Sequence, residues 1–171
     1  PRHPELRRLL DHEVHAREVA QREGEHARMP GITVVSRQVL VQREDRVVAH
    51  QRQHARGTLA ARPDGVPLLV TIARLAPQKD LDLLLDAIGI VTERHRLPVV
   101  LAVAGDGPLA AALSGRARRE ALPVSFLGHR RDVPDLIAAA DVVVSSARWE
   151  GQPVALQEAL HVGAAIVATD A

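Results

Sequence analysis

The chain has 171 residues, 22 basic and 21 acidic side chains for a formal net charge of +1, and no cysteine. That length suits one domain of ordinary size, or one domain with part of another. Near-neutral charge implies no general affinity for nucleic acid, and the lack of cysteine excludes disulfides and thiolate metal sites.

No apolar run reaches the ~18 residues of a membrane span, and the opening PRHPELRRLLDHE is too charged for a secretory signal. A cytoplasmic location is therefore expected. The first residue is Pro1, not Met, so a fragment or a processed chain is expected. With one Phe, one Trp and no Tyr, its core must be built from Ala, Val and Leu. Such small side chains suit helices packed closely on a parallel sheet.

In chain order, residues 1–66 read as a polar, mostly helical segment. Pro4 to Ala27 carries a thin apolar stripe at Leu6, Leu9, Leu10, Val14 and Val19, and Pro30-Gly31 ends it. Ile32–Val35 reads as a short strand, and Ser36 as the cap of a second helix to about Arg46. His12 and His15 share a helix face, with His26 further on, but the pattern is not H-E-x-x-H and a solvated face explains it. The breaker cluster Ala61-Arg62-Pro63-Asp64-Gly65 then marks a boundary.

Residues 67–171 alternate apolar runs with amphipathic segments. Strands are predicted at Leu68–Ile72, Val99–Ala104, Val124–Leu127, Asp141–Ser145 and Ala165–Thr169. Helices are predicted at Leu81–Arg94, from the Gly105-Asp106-Gly107-Pro108 turn to about Glu120, at Val133–Ala140 and at Pro153–Val162. Strands without polar alternation are buried on both faces, and helical crossovers make the sheet parallel. The fold class is thus α/β, a doubly wound Rossmann-like sheet, and ligands of such sheets bind beyond the carboxyl ends of the strands.

The loops at that end carry the chemistry. Arg74 and Lys79, the chain's one lysine, bring a forked donor and a point charge to the first loop, the pair of groups that a diphosphate takes. The same segment reads equally as a solvated loop with Asp80 capping the next helix. After the fourth strand, Glu150 and Glu158 are separated by seven residues, with Gly151 for close backbone approach and Pro153 for a first helical turn. The N–H groups of Val154 and Ala155 are expected to point above the sheet as an anion site. Glu158 falls in the second turn of that helix, about 7–9 Å of rise beyond its start, so the two carboxylates are spaced to hold hydroxyls at either end of a nucleotide sugar. The alternative is an ordinary helix with an exposed Glu. Gly105 and Gly107 read as tight-turn residues, without the G-x-G-x-x-G spacing. His129 and Arg130 either lie along the edge of a base or are simply solvated.

The run from Leu68 to Ala171 resembles the C-terminal, donor-binding domain of the GT-B glycosyltransferases of family 4. The segments that carry the likeness are ARLAPQKDLDLLLDA, VAGDGP, FLGHRRDVPDLIAAADVVVSS, EGQPVALQEAL and GAAIVATDA, with the Glu-x7-Glu pattern at Glu150 and Glu158. The resemblance implies transfer of a sugar, with anomeric retention, from a nucleotide diphosphate sugar to an acceptor hydroxyl that it leaves unidentified. It implies catalytic roles for Arg74 and Lys79 on the diphosphate and for Glu150 on the donor sugar's hydroxyls. It implies donor binding by backbone at Gly151 and Gln152, by Val154, Ala155 and Gly105, by Glu158 on the ribose, and by His129 and Arg130 along the base.

No metal or other cofactor is implied, fixed cations taking its place, and no nucleic-acid partner. Peripheral membrane contact is implied only through an N-terminal domain. Ala73 replaces the family's usual Gly. The family's domain runs on past Ala171, and ITVVSRQVL is only faintly like the end of its N-terminal domain. Sugar transfer is therefore not expected of this chain alone. Two other readings remain: a non-catalytic nucleotide- or partner-binding α/β domain, and another sugar-nucleotide enzyme of this architecture, such as an epimerase.

Overall fold

The computed structural model describes residues 32–35 and 65–170. The polar helices expected in residues 1–66, and His12, His15 and His26 with them, lie outside the described residues.

Six strands form one sheet: β1 (Ile32–Val35), β2 (Leu68–Ile72), β3 (Val100–Ala104), β4 (Val124–Gly128), β5 (Val142–Ser145) and β6 (Ile166–Thr169). Their spatial order is β1-β6-β5-β2-β3-β4. The run from β4 to β6 is parallel throughout, as predicted. β1 is the strand expected at Ile32, but it joins the far edge antiparallel, pairing Ile32 with Thr169 and Val35 with Ile166. Period and propensity identified that strand; its direction depends on a partner more than 130 residues away, for which the local sequence carries no signal.

The crossovers are α1 (Leu81–Gly89), α2 (Ala110–Arg119), α3 (Val133–Ala139) and α4 (Val154–His161). The helix expected to reach Arg94 does so by widening at Ile90–Arg94, where the Thr92 hydroxyl donates to the Ile88 carbonyl at 2.8 Å. On one side of the sheet, Leu81, Leu84, Leu85 and Ile88 of α1 and Leu113 of α2 pack on Leu101, Val103, Val142 and Val144. On the other, Leu136 and Ala139 of α3 pack on Leu68, Val70 and Ala102, while Ala159 of α4 joins Ile137, Val143 and Ile166. Alternate residues of one strand thus enter opposite cores, which is why these strands are mostly apolar and lack a regular polar alternation. Among the described residues no helix is long and apolar enough to cross a membrane.

β2 is the strand at which the winding reverses: its successors β3 and β4 lie to one side, β5 and β6 to the other. The start of β2 is locked to β5 by Asp141, whose carboxylate accepts from the Leu68 N–H at 2.8 Å and whose own N–H donates to the Leu68 carbonyl at 2.9 Å. At such a switch point the loops leaving the two central strands diverge and open a crevice above the sheet.

Candidate functional site

A cleft of about 600 Å³ opens there, and the loops that follow β2, β3, β4 and β5 all contribute to it. Of the residues singled out from the sequence, Arg74, Lys79, Gly105, His129, Arg130, Glu150, Gln152, Val154 and Ala155 line it. Gly151 and Glu158 do not.

The first wall is a pair of crossing loops. The Ala73 N–H donates to the Ala104 carbonyl at 3.0 Å, the Leu75 N–H to the Asp106 carbonyl at 2.9 Å, and the Leu109 N–H to the Leu75 carbonyl at 3.0 Å. Gly105 (φ 141°) and Gly107 permit this crossing: a Cβ at Gly105 would stand 1.9 Å from the Ala73 oxygen, and one at Gly107 would stand 2.5 Å from the Leu75 oxygen. Their role is therefore close packing of two backbones as well as the tight turn expected of them. Asp106, between them, lines the cleft, and its carboxylate accepts from the Gly107 N–H at 2.7 Å.

The second wall carries the cations and the first carboxylate. A short turn at Pro77–Lys79 leads into α1, and Asp80 stands at the helix start in the left-handed region, φ 44° and ψ 48°. Its side chain does not cap α1. The carboxylate accepts instead from the Arg148 guanidinium at 2.8 Å. Around it the loops after β2 and β5 are stitched together. The Gln78 amide donates to the Trp149 carbonyl at 2.9 Å, the Arg148 N–H to the Gln78 carbonyl at 2.9 Å, and the buried Ser146 hydroxyl to the Lys79 carbonyl at 2.8 Å. Lys79 Nζ donates to Glu150 Oε1, both side chains about four-fifths buried. Arg74, by contrast, is exposed, with no side-chain partner among the described residues.

The start of α4 supplies less than the sequence suggests. The Val154 N–H donates to the Gln152 carbonyl at 2.9 Å, and those of Leu156 and Gln157 both donate to the Pro153 carbonyl at 3.0 Å. Val154 therefore lines the cleft with its N–H already engaged. That of Ala155 alone in this first turn has no partner among the described residues, and one free donor replaces the expected two. Gly151 lies in the open, with nothing within 4 Å of the place its Cβ would take, so no protein contact explains a glycine there. Glu158 is exposed in the second turn of α4, outside the cleft lining. It stands one turn beyond Val154 and Ala155, which do line the cleft, so its distance along α4 and not its helical phase leaves it out of the lining.

The third wall follows β4. A register shift between β3 and β4 leaves Leu127 unpaired and sets Ala104 opposite Gly128, whose φ of 65° turns the chain toward the cleft. The Gly105 N–H donates to the Gly128 carbonyl at 2.8 Å. His129 and Arg130 follow. Arg130 is not a free cation, because Asp132 accepts from it twice, at 2.8 and 2.5 Å, and this pairing raises the guanidinium pKa above its ordinary value.

Sequence reasoning missed Asp106 and Ser145 in the lining and Gln78, Ser146 and Arg148 as the residues that fasten its loops. Asp106 sits between two glycines that were singled out, so its position was visible though its part was not. Ser145 ends strand β5 and the others look like ordinary loop residues, and nothing in their neighbourhoods marks them.

The profile of the family described as Glycosyl transferases group 1 matches residues 66–171. The chain is 32% identical over 96 residues to the UDP-Gal:alpha-D-GlcNAc-diphosphoundecaprenol alpha-1,3-galactosyltransferase of Escherichia coli, covering 54% of this chain and 25% of that enzyme. Among solved structures, Anabaena Alr3699/HepE in complex with UDP-glucose matches with a TM-score of 0.59 and 26% identity, over 70% of this chain and 33% of that one. WaaG, a glycosyltransferase involved in lipopolysaccharide biosynthesis, matches with a TM-score of 0.58 and 25% identity, over 68% and 31%. The chain thus spans a quarter to a third of the length of these relatives. With a profile match across its whole α/β unit and a GT-B-like sheet, the chain belongs to the group 1 glycosyl transferases.

Proposed function

We propose that this chain is the donor-binding part of a glycosyltransferase that uses a uridine diphosphate sugar and transfers its glycosyl group, with retention, to a hydroxyl acceptor. The observation that carries the reading is the gathering of Arg74, Lys79, the free Ala155 N–H and Glu150 around one cleft at the switch point of the sheet. Cations held in place before the reaction stabilise the charge that develops on a departing diphosphate, without reorganisation at the moment of transfer. Arg74 and Lys79 supply that charge, with the Ala155 N–H as a fixed dipole.

Glu150 suits the donor sugar, since a carboxylate accepts from two neighbouring hydroxyls at once. Gly105, Asp106 and the backbone around His129 and Arg130, which also line the cleft, are then left for the base. In this reading Glu158 reaches the ribose from outside the cleft wall by a change of rotamer. Uracil is chosen because UDP-glucose is in the HepE complex and UDP-Gal is in the name of the Escherichia coli enzyme. Retention and the sufficiency of side-chain cations without a metal rest on the family resemblance.

Calorimetric titration of the chain with UDP, GDP and ADP tests the reading. UDP is expected to bind at least tenfold more tightly than the other two, roughly 1.4 kcal/mol. Equal or absent binding of all three defeats it.

A further inference from the structure

The cleft already places an anion on one of its cations. Lys79 is held by Glu150, both side chains largely shielded from solvent, whereas Arg74 and the Ala155 N–H keep no such partner among the described residues. The backbones on either side cannot drift apart, because Ser146 holds the Lys79 carbonyl and Gln78 holds the Trp149 carbonyl. Any change at this pair is therefore a change of side-chain rotamer. Two anions converging on one ammonium repel each other, so a phosphate that reaches Lys79 does so at the expense of Glu150.

We infer that Glu150 is a built-in competitor for the diphosphate: it pairs with Lys79, is displaced when nucleotide enters, and is then taken up by the sugar hydroxyls of an intact donor. This rests on the nucleotide-sugar reading above and adds a specificity that the reading does not contain. A nucleoside diphosphate without sugar breaks the ion pair and leaves the carboxylate with no new partner. A nucleotide sugar breaks it and supplies hydroxyl donors in exchange. The exchange favours intact donor over spent nucleotide, and the return of Glu150 to Lys79 helps expel the product.

The experiment is titration of the 171-residue chain and its Glu150→Gln, Glu150→Ala, Lys79→Ala and Lys79→Ala/Glu150→Gln variants with UDP, and with UDP-glucose as the sugar-bearing probe. Removing the Glu150 charge is expected to tighten UDP binding about three- to tenfold, the scale of a partly shielded ion pair. The ratio of UDP-glucose to UDP affinity should fall by at least as much. The gain should vanish when Lys79 is absent. Glu150→Ala should show the same tightening, which guards against a fault peculiar to the glutamine. Unchanged or weaker UDP binding in both Glu150 variants, beside measurable binding by the unmodified chain, overturns the inference and leaves the nucleotide reading standing. So does a gain that persists without Lys79, because general repulsion then explains it. Failure of UDP and UDP-glucose to bind any variant overturns the nucleotide reading itself.

Discussion

Gly105 faces the carbonyl of Ala73 so closely that a side chain there would overlap it, the added Cβ falling 1.9 Å from the oxygen. The contact lies at the cleft, where the loop after β2, which carries Arg74, crosses the loop after β3. Stability and site geometry meet at this one point.

Gly105→Ala is accordingly expected to cost about 3 kcal/mol or more, since it combines an overlap with backbone and an unfavourable φ. In thermal unfolding this is a fall in midpoint on the order of 10 °C. Gly107→Ala, with a 2.5 Å approach to the Leu75 carbonyl, should behave similarly. Gly151→Ala, which meets nothing, should stay within about 0.5 kcal/mol of the unmodified chain.

Lys79→Ala is expected to weaken nucleotide-sugar binding or turnover in the complete enzyme by about 2–4 kcal/mol, the cost of removing a charge aimed at a diphosphate. Steady-state kinetics with the intact donor checks it. Unchanged kinetics would remove Lys79 from the site.

Ser146→Ala leaves the Lys79 carbonyl without its buried donor, at a cost of about 1–2 kcal/mol in denaturant unfolding. Because Ser146 holds the Lys79 backbone and is not itself in the cleft lining, it acts on the Lys79 ammonium only by position. Donor binding should weaken in the variant at a temperature where it is still fully folded.

Arg116 joins α1 to α2, donating to the Asp82 carboxylate at 3.0 Å, to Asp86 and to Glu120 at 2.9 Å. These partners raise its pKa above the usual guanidinium value, with Glu120 the largest cause. Such a shift contributes stability below the unfolded-state pKa and loses it only as pH rises past the folded one, so the contribution is constant across ordinary buffers. Arg116→Ala should lower the unfolding midpoint by a few degrees, roughly 1 kcal/mol for a network on an exposed face. The difference should shrink in 1 M salt, where the Debye length is about 3 Å. A salt-independent difference would point to packing of the side-chain stem instead.

Much of the fold was legible because its signals are local. Leu68–Ile72 is apolar but for Thr71, and breakers at Ala61–Gly65 and Pro77 bracket it, so strand β2 was placed to the residue. Val133–Ala140 and Pro153–Val162 each begin at a proline-bearing first turn, and the observed helices lie within a residue of both. The cleft was legible in outline, since parallel strands put their following loops on one edge. Less legible was what each group does there. The spacing of Glu150 and Glu158 did not reveal that one enters the cleft and the other faces solvent. Nor did the pattern at Val154 show that its N–H turns back to Gln152.

The sequence by itself determined the strand–helix alternation, the edge of the sheet that bears the chemistry and the family, because periodicity, breakers and motif spacing act within a few turns of chain. Only the tertiary structure decided that β2 and β5 stand side by side at the reversal of the winding, that β1 closes the far edge antiparallel, and that Lys79 is held by Glu150. The bonds that fasten those loops join residues 67 to 71 positions apart, and partners so distant meet only once the sheet has brought their strands together.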